Sequence, residues 1–333
     1  MNEIKLILGT MTFGSQVNEN NAQKILSAFL DCGHFEIDTA YVYNNGSSEK
    51  LVGKILENLP INKYSIATKV NPRITGQLDE DSINRQFAES LHRLSRKSVD
   101  ILYLHFPDAH TPLEITLGAC AKLYEQGKFT ELGLSNFPAW MVVDAWHICK
   151  VNGWPRPTVY QGLYNGLSRN VENELFPALR KLEIRFYAFN PLAGGILTGK
   201  YKVYNCVPEP GRFTYRPNYK DRYWKKTYFS ALEHISSACQ GSKVTILDAA
   251  YRWLAYHSMI EPSMGDGIVI GVSRIEQLDQ NLSAIKKGPL PERIICAFDD
   301  VWGKIKSECP DYFRFIVNKS LENDEHARSK KTT

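Results

Sequence analysis

Asp38, Tyr43, Lys69 and His105 bring together a carboxylate, a phenol, an ammonium and an imidazole, each at or just past the end of a short apolar run. Around the first of them, Phe35-Glu36-Ile37-Asp38 alternates as a half-buried strand, Tyr43 follows one loop step later, and Asn45-Gly46-Ser47 opens a helix. A phenol with its ordinary pKa near 10 donates a proton poorly at neutral pH unless a neighbouring cation stabilises its phenolate. The spacing therefore predicts that Lys69 acidifies Tyr43, that Asp38 holds Lys69 charged, and that His105 hydrogen-bonds and orients a carbonyl oxygen. Taken singly, each has a plainer reading: Asp38 as a cap or turn former, Tyr43 as a core aromatic, Lys69 as a solvated charge, His105 as a satisfied barrel histidine. Their coincidence on one rim favours a device that protonates an oxygen as negative charge develops on it.

The elements that must position them alternate in type. Apolar runs at 5–8, 35–38, 65–70, 99–105, 131–135, 159–160, 185–190 and 267–270 read as eight strands. Amphipathic stretches at 22–30, 48–57, 81–94, 112–125, 139–150, 171–182, 245–256 and 275–284 separate them. Repeated βα units of this number predict an α/β fold, a single (β/α)8 TIM barrel over 1–315 whose catalytic side chains stand at the C-terminal ends of the strands. A long aperiodic loop, 191–229, follows the seventh strand, and an extra C-terminal helix is expected at 292–308. The residues 316–333 are charged and aromatic-free, and are expected to form a disordered tail.

Composition excludes other classes. A formal charge of +4 on 333 residues, without a basic run before the C-terminus, argues against a nucleic-acid partner. Seven cysteines without a CxxC spacing read as reduced thiols of a cytoplasmic protein. No apolar segment is long enough to span a membrane, and no export signal opens the chain. There is no GxGxxG after the first strand, no GxxxxGK[ST] and no GxSxG. A metal site built on His105, Asp108 and His110 is disfavoured because Pro107 precludes a shared helical face, so no metal is expected.

Phosphate recognition then falls to later loops. The run from Asn190, Pro191 and Leu192 through Gly194 and Gly195 to Lys200 has glycines that let backbone N–H groups approach a pyrophosphate. Gly271 and Ser273 precede a helix carrying Gln277 and Asn281, whose N-terminus attracts anions. Ser135, Asn136 and Gln161 could hydrogen-bond a carboxamide, and Tyr187 or Tyr164 could stack on a ring.

With these residues assembled, the chain resembles the aldo-keto reductase superfamily, within it the aflatoxin aldehyde reductase and succinic semialdehyde reductase branch. The likeness rests on Asp38-Thr39-Ala40 with Tyr43, Gly133-Leu134-Ser135-Asn136, 157–162, 186–195, and Glu276-Gln277-Leu278 with Gln280-Asn281. It implies NADPH-dependent reduction of aldehydes, dicarbonyls among them, with Tyr43 as proton donor, Asp38 and Lys69 tuning it, and His105 orienting the carbonyl. It implies NADPH/NADP+ contacts from Asp38, Ser135, Asn136, Gln161, the 190–200 run, Arg212 and the 271–281 segment. A carboxylate-bearing substrate would meet His105, Tyr219, Arg222 and Arg314. Homodimers, a cytoplasmic location and a detoxifying role are expected on the same basis. The chain departs from the pattern in continuing past Tyr312-Phe313-Arg314 and in a short 200–222 loop. The alternative is a cofactor-binding subunit of a membrane channel with little turnover, and a third reading is a metal-dependent hydrolase using Asp38 and His105.

Overall fold

In the computed structural model, which describes residues 3–57, 59–205, 212–215 and 217–315 (at 215, 217 and 218 the backbone alone), eight parallel strands close into a barrel. They are β1 Lys5–Gly9, β2 Glu36–Asp38, β3 Ser65–Val70, β4 Val99–Leu104, β5 Phe129–Ser135, β6 Pro157–Leu163, β7 Arg185–Phe189 and β8 Gly267–Gly271. Each pairs with the next in sequence, and β8 returns to β1 with Leu8 opposite Ile270. Closure leaves no unpaired sheet edge, and the strands are apolar because both of their faces are covered. Cys206 and the expected tail at 316–333 lie outside the described residues.

The strand count read from sequence holds, with corrections at particular elements. β6 is seven residues long where only 159–160 was expected. Pro157 can sit there because a first strand position needs no ladder N–H, and polar Gln161 interrupts an otherwise apolar run. The helix expected over 171–182 is a 3-10 turn, Asn170–Glu172, followed by the helix Leu175–Lys181. Pro177 is tolerated only within a first turn, so the helix cannot start much earlier. The connection after β7 is not structureless: it carries the short helices Arg212–Tyr215 and Pro217–Tyr223 and leads into Lys226–Cys239. That last helix buries Tyr228, Leu232, Ile235 and Cys239 at helical spacing against the C-terminal helix Glu292–Ile305.

Two apolar cores flank the sheet. The larger lies between the strands and the outer helices, and the smaller fills the barrel with Ile7, Ala67, Ile101, Tyr103, Val159, Tyr187 and Val269. At the N-terminal end of the barrel, Arg185 holds Glu131 in a two-pronged pair at 2.6 and 2.9 Å. Tyr187 donates to Glu36 there at 2.9 Å. These bonds point the Tyr187 ring to the closed end.

Nearer the catalytic end, Tyr103 lies flat against β5. A Cβ built on Gly133 would sit 2.4 Å from two carbons of the Tyr103 ring, so the ring occupies space that only glycine leaves. On its other side Tyr103 carries the Lys69 ammonium, 5.2 Å from the ring centroid. Gly133→Ala should therefore destabilise the barrel by about 1–3 kcal/mol through overpacking. Denaturant unfolding checks this; an unchanged midpoint would mean that Tyr103 can move at no cost.

Candidate active site

The sheet register sets the rim. Asp38 ends β2 opposite Ala67, Lys69 pairs with Tyr103 one step from the end of β4, and Ser135 ends β5 opposite Gln161. Lys69 is buried beneath the rim, where its ammonium donates to Asp38 Oδ1 and, at 2.9 Å, to the Thr39 carbonyl. Asp38 Oδ1 also accepts from Gln161 Nε2 at 2.9 Å. Two tyrosine rings lie against the ammonium, the Tyr43 centroid 5.3 Å away and the Tyr103 centroid 5.2 Å away.

Tyr43 stands on the loop between β2 and the helix Ser47–Leu56. The loop is tied down from both sides. Asn44 donates its side-chain amide to the carbonyls of Met11 and Phe13 at 3.0 and 2.8 Å, and a buried hydroxyl cluster joins Ser48 to Thr10 and Thr39 at 2.8 and 2.9 Å. Burial pushes the Tyr43 pKa well above its ordinary value, and the Asp38 carboxylate pushes it further, while Arg212 pulls weakly the other way. The Lys69 ammonium is paired with Asp38 and lies 5.3 Å from the Tyr43 ring centroid. Tyr43 is therefore protonated throughout the physiological range, the state a proton donor requires.

His105 follows β4 with its ring edge-on to Tyr43, centroids 6.2 Å apart at 89°. Its tautomer is set by a residue that the sequence reading passed over. Asn71 caps the short helix Pro72–Thr75, its Oδ1 accepting the Arg73 N–H at 3.0 Å. Its amide nitrogen must then face His105 Nδ1, at 3.3 Å, so Nδ1 accepts and Nε2 carries the proton. Burial lowers the His105 pKa well below the ordinary value, with Lys69 and Arg73 adding to the shift. A neutral imidazole results, offering Nε2–H as a donor.

A cavity of about 980 Å³ opens above these groups, large for a small-molecule site of ~300–1,000 Å³. Of the site residues named from sequence, those outside its lining are Lys69, which lies below, Arg314, which lies outside, and the candidate stacking rings Tyr164 and Tyr187. Arg314 donates its backbone N–H to the Asn136 carbonyl at 3.2 Å, but its side chain is exposed rather than on the wall. The rings expected to stack on a ligand do not reach the cavity. Tyr187 bonds Glu36 at the closed end, and Tyr164 is buried with its hydroxyl on Glu172 at 2.6 Å. Tyr219 is among the aromatic residues that do line it, and it donates to Asn190 Oδ1 at 3.3 Å. The sequence reading also missed Arg73, on the opposite wall; the Asn71-Pro72 pair, a cap followed by proline, was the signal that a helix start follows Lys69 at once.

The donor set suits a nicotinamide dinucleotide. Asn136, held at φ 62°, donates to the His105 carbonyl and to Ser135 Oγ at 2.9 Å each, which leaves the Ser135 hydroxyl proton and the Asn136 and Gln161 carbonyl oxygens for a carboxamide. Asn190 leaves a buried side-chain nitrogen without a partner among the described residues, and buried Asn281 has none either. Gly194 and Gly195 have φ of 71° and 106°, and a Cβ on Gly194 would meet Tyr219 at 2.8 Å, so the loop lies close along that wall. Ser273 donates backbone and hydroxyl to Gln277 Oε1 at 2.8 and 3.2 Å, which shapes the start of the helix Ile275–Lys286. Lys200, Arg212 and Arg274 supply positive charge on the same side. Among the described residues no three of His, Cys, Asp and Glu gather into a metal site, and no helix is long and apolar enough to cross a membrane.

A family model described as the Aldo/keto reductase family matches residues 5–302. The chain is 44% identical over 319 residues to human aldo-keto reductase family 7 member A3, covering 92% of this chain and 96% of that protein. It is 44% identical to human aflatoxin B1 aldehyde reductase member 2, covering 92% and 89%, and 42% identical to human aflatoxin B1 aldehyde reductase member 4, covering 92% and 96%.

The Asn71 hydrogen bond makes a test of the imidazole. In Asn71→Asp a carboxylate faces Nδ1, so the ring gains a proton there and its pKa rises. Activity that is flat from about pH 6 to 9 in the native protein should fall about tenfold at neutral pH in the variant and recover as pH rises through the raised pKa. A pH profile without a new ionisation would show that Asn71 does not set the state of His105.

Proposed function

The chain belongs to the aldo/keto reductase family, and from that premise we propose that it reduces aldehydes to alcohols with NADPH, Tyr43 being the proton donor. The observation that carries this reading is the convergence of a protonated phenol, a neutral imidazole N–H and a buried lysine–aspartate pair on one cavity whose other end is lined with unpaired amides and cations. The printed names of the relatives, aflatoxin B1 aldehyde reductases, support aldehydes as the substrate class.

The roles follow from the geometry. His105 Nε2–H donates to the carbonyl oxygen and polarises it, and as a neutral donor it does not protonate that oxygen prematurely. NADPH, when bound, supplies the hydride that adds to the carbonyl carbon, so the aldehyde is reduced as the cofactor is oxidised. Tyr43 passes its hydroxyl proton to the oxygen as charge grows there, and the alcohol forms. Lys69 lies under the Tyr43 ring, where its charge offsets the Asp38 carboxylate that would otherwise oppose the build-up of phenolate charge. Ser135, Asn136 and Gln161 hold the carboxamide, and the second hydrogen bond of Gln161, to Asp38, couples that grip to the proton donor. Lys200, Arg212 and Arg274 supply cations for the pyrophosphate and the 2′-phosphate that separates NADPH from NADH.

Tyr43→Phe keeps the ring over Lys69 and removes only the acidic proton. It should cut reduction of a small aldehyde by about 10²–10⁴ while NADPH still quenches protein fluorescence on binding. Undiminished turnover by this variant would remove Tyr43 from the chemistry.

A further inference from the structure

Two arginines, Arg73 and Arg222, line the cavity, and a third, Arg314, lies outside it, bonded through its backbone to Asn136 on the wall. Arg73 lies over the Phe106 ring at 4.3 Å, and Phe106 stacks on His105 with centroids 5.0 Å apart at 23°. This stack fixes the Arg73 guanidinium relative to the imidazole. Arg222 stands across the mouth, its guanidinium 5.7 Å from the Tyr219 ring, and Arg314 is anchored beside Asn136 by its backbone. Burial lowers the Arg73 pKa, and the charges of Arg314 and Arg222 lower it further. None of the three has an ion-pair partner among the described residues. Asp38, the one carboxylate on the cavity wall among the described residues, is already held by Lys69 and Gln161.

Like charges brought together without a counter-ion favour whatever anion completes them. One carboxylate balances one of three charges. A phosphate monoester brings close to two negative charges and three acceptor oxygens to a single centre, which suits two guanidinium groups on the wall with a third outside it. Resting on the aldehyde reductase reading above, we propose that this protein prefers aldehydes whose far end is a phosphate monoester, with Arg73 the residue that extends selection beyond a single carboxylate. Arg73 and Arg222 grip the phosphate from the cavity wall, Arg314 closes it from outside, and the aldehyde end lies against His105 and Tyr43.

Four-carbon substrates of matched length test this. The gain from phosphate is the ratio of kcat/KM for erythrose 4-phosphate to that for erythrose, and the gain from a carboxylate is the ratio for succinic semialdehyde to that for butanal. Each kcat/KM is expressed per free aldehyde, because erythrose closes to a furanose and its 4-phosphate does not, and the ratios then cancel any loss common to both members of a pair. The phosphate gain should exceed the carboxylate gain, and Arg73→Met should lower the phosphate gain about tenfold, the effect of one charge-assisted contact, while lowering the carboxylate gain much less. Arg73→Lys should recover part of the loss. Equal gains in the native protein, or an equal fall of both gains in Arg73→Met, would overturn the proposal. Binding of erythritol 4-phosphate against erythritol, followed by protein fluorescence, needs no turnover. If that binding requires Arg73 but erythrose and butanal are not reduced, the reductase reading fails and the phosphate site stands. If both aldehydes are reduced but erythritol 4-phosphate binds no better than erythritol, the site fails and the reductase reading stands.

Discussion

A charged amine held inside a barrel is expensive, and the catalytic end of this structure is arranged around making that tolerable. The effective penalty of removing an ion from water is several kcal/mol even after relaxation, and it is recovered only when the partner is close and the remaining bonding capacity is met. Lys69 meets those terms through Asp38, the Thr39 carbonyl and the faces of two tyrosine rings. Asp38 in turn is secured by Gln161 from across the barrel. The pair can be held only where strands do not move, and its position one residue below the rim brings Tyr43 above it and Tyr103 below. Gly133 belongs to the same constraint, since the Tyr103 ring lies where a side chain on β5 would be.

Above that buried pair the cavity divides by chemistry. One side carries side-chain amides with spare hydrogen-bonding capacity, glycines in left-handed turns and a helix start, the features that accept a carboxamide and phosphates. The other carries His105, backed by Asn71, with Arg73 and Arg222. Burial acts alike on both reacting groups: it keeps the phenol protonated and the imidazole neutral, so each can donate over the physiological range. The proposed transfer of a proton from Tyr43 therefore depends on the charge that develops at the substrate oxygen during the reaction, not on a phenol that is acidic at rest.

Most of the barrel was legible because a short apolar strand followed by an amphipathic helix is a local signal, repeated eight times. The strand ends gave the rim, and the rim gave Asp38, Tyr43, Lys69 and His105 before any contact was known. The departures share a cause: they depend on what a side chain meets across space. Nothing in the run Arg185–Phe189 says that Tyr187 bonds Glu36 at the closed end. The helix Lys226–Cys239 had a readable 3–4 spacing that the surrounding aromatic and lysine-rich stretch obscured. Asn71 and Arg73 were within reach, since a cap before a proline directly after β3 marks a helix start at the site. That Arg73 rather than Arg314 lines the cavity needed the structure.

The claim that Lys69 and Asp38 act as one unit is tested most directly by a double-mutant cycle on kcat, with Lys69→Met, Asp38→Asn and the two combined. If the pair is a unit, each single change leaves one buried charge without its partner and costs nearly the full effect, so the double variant is no slower than the worse single one. Effects that multiply in the double variant would mean that the two residues act separately, and would contradict the account.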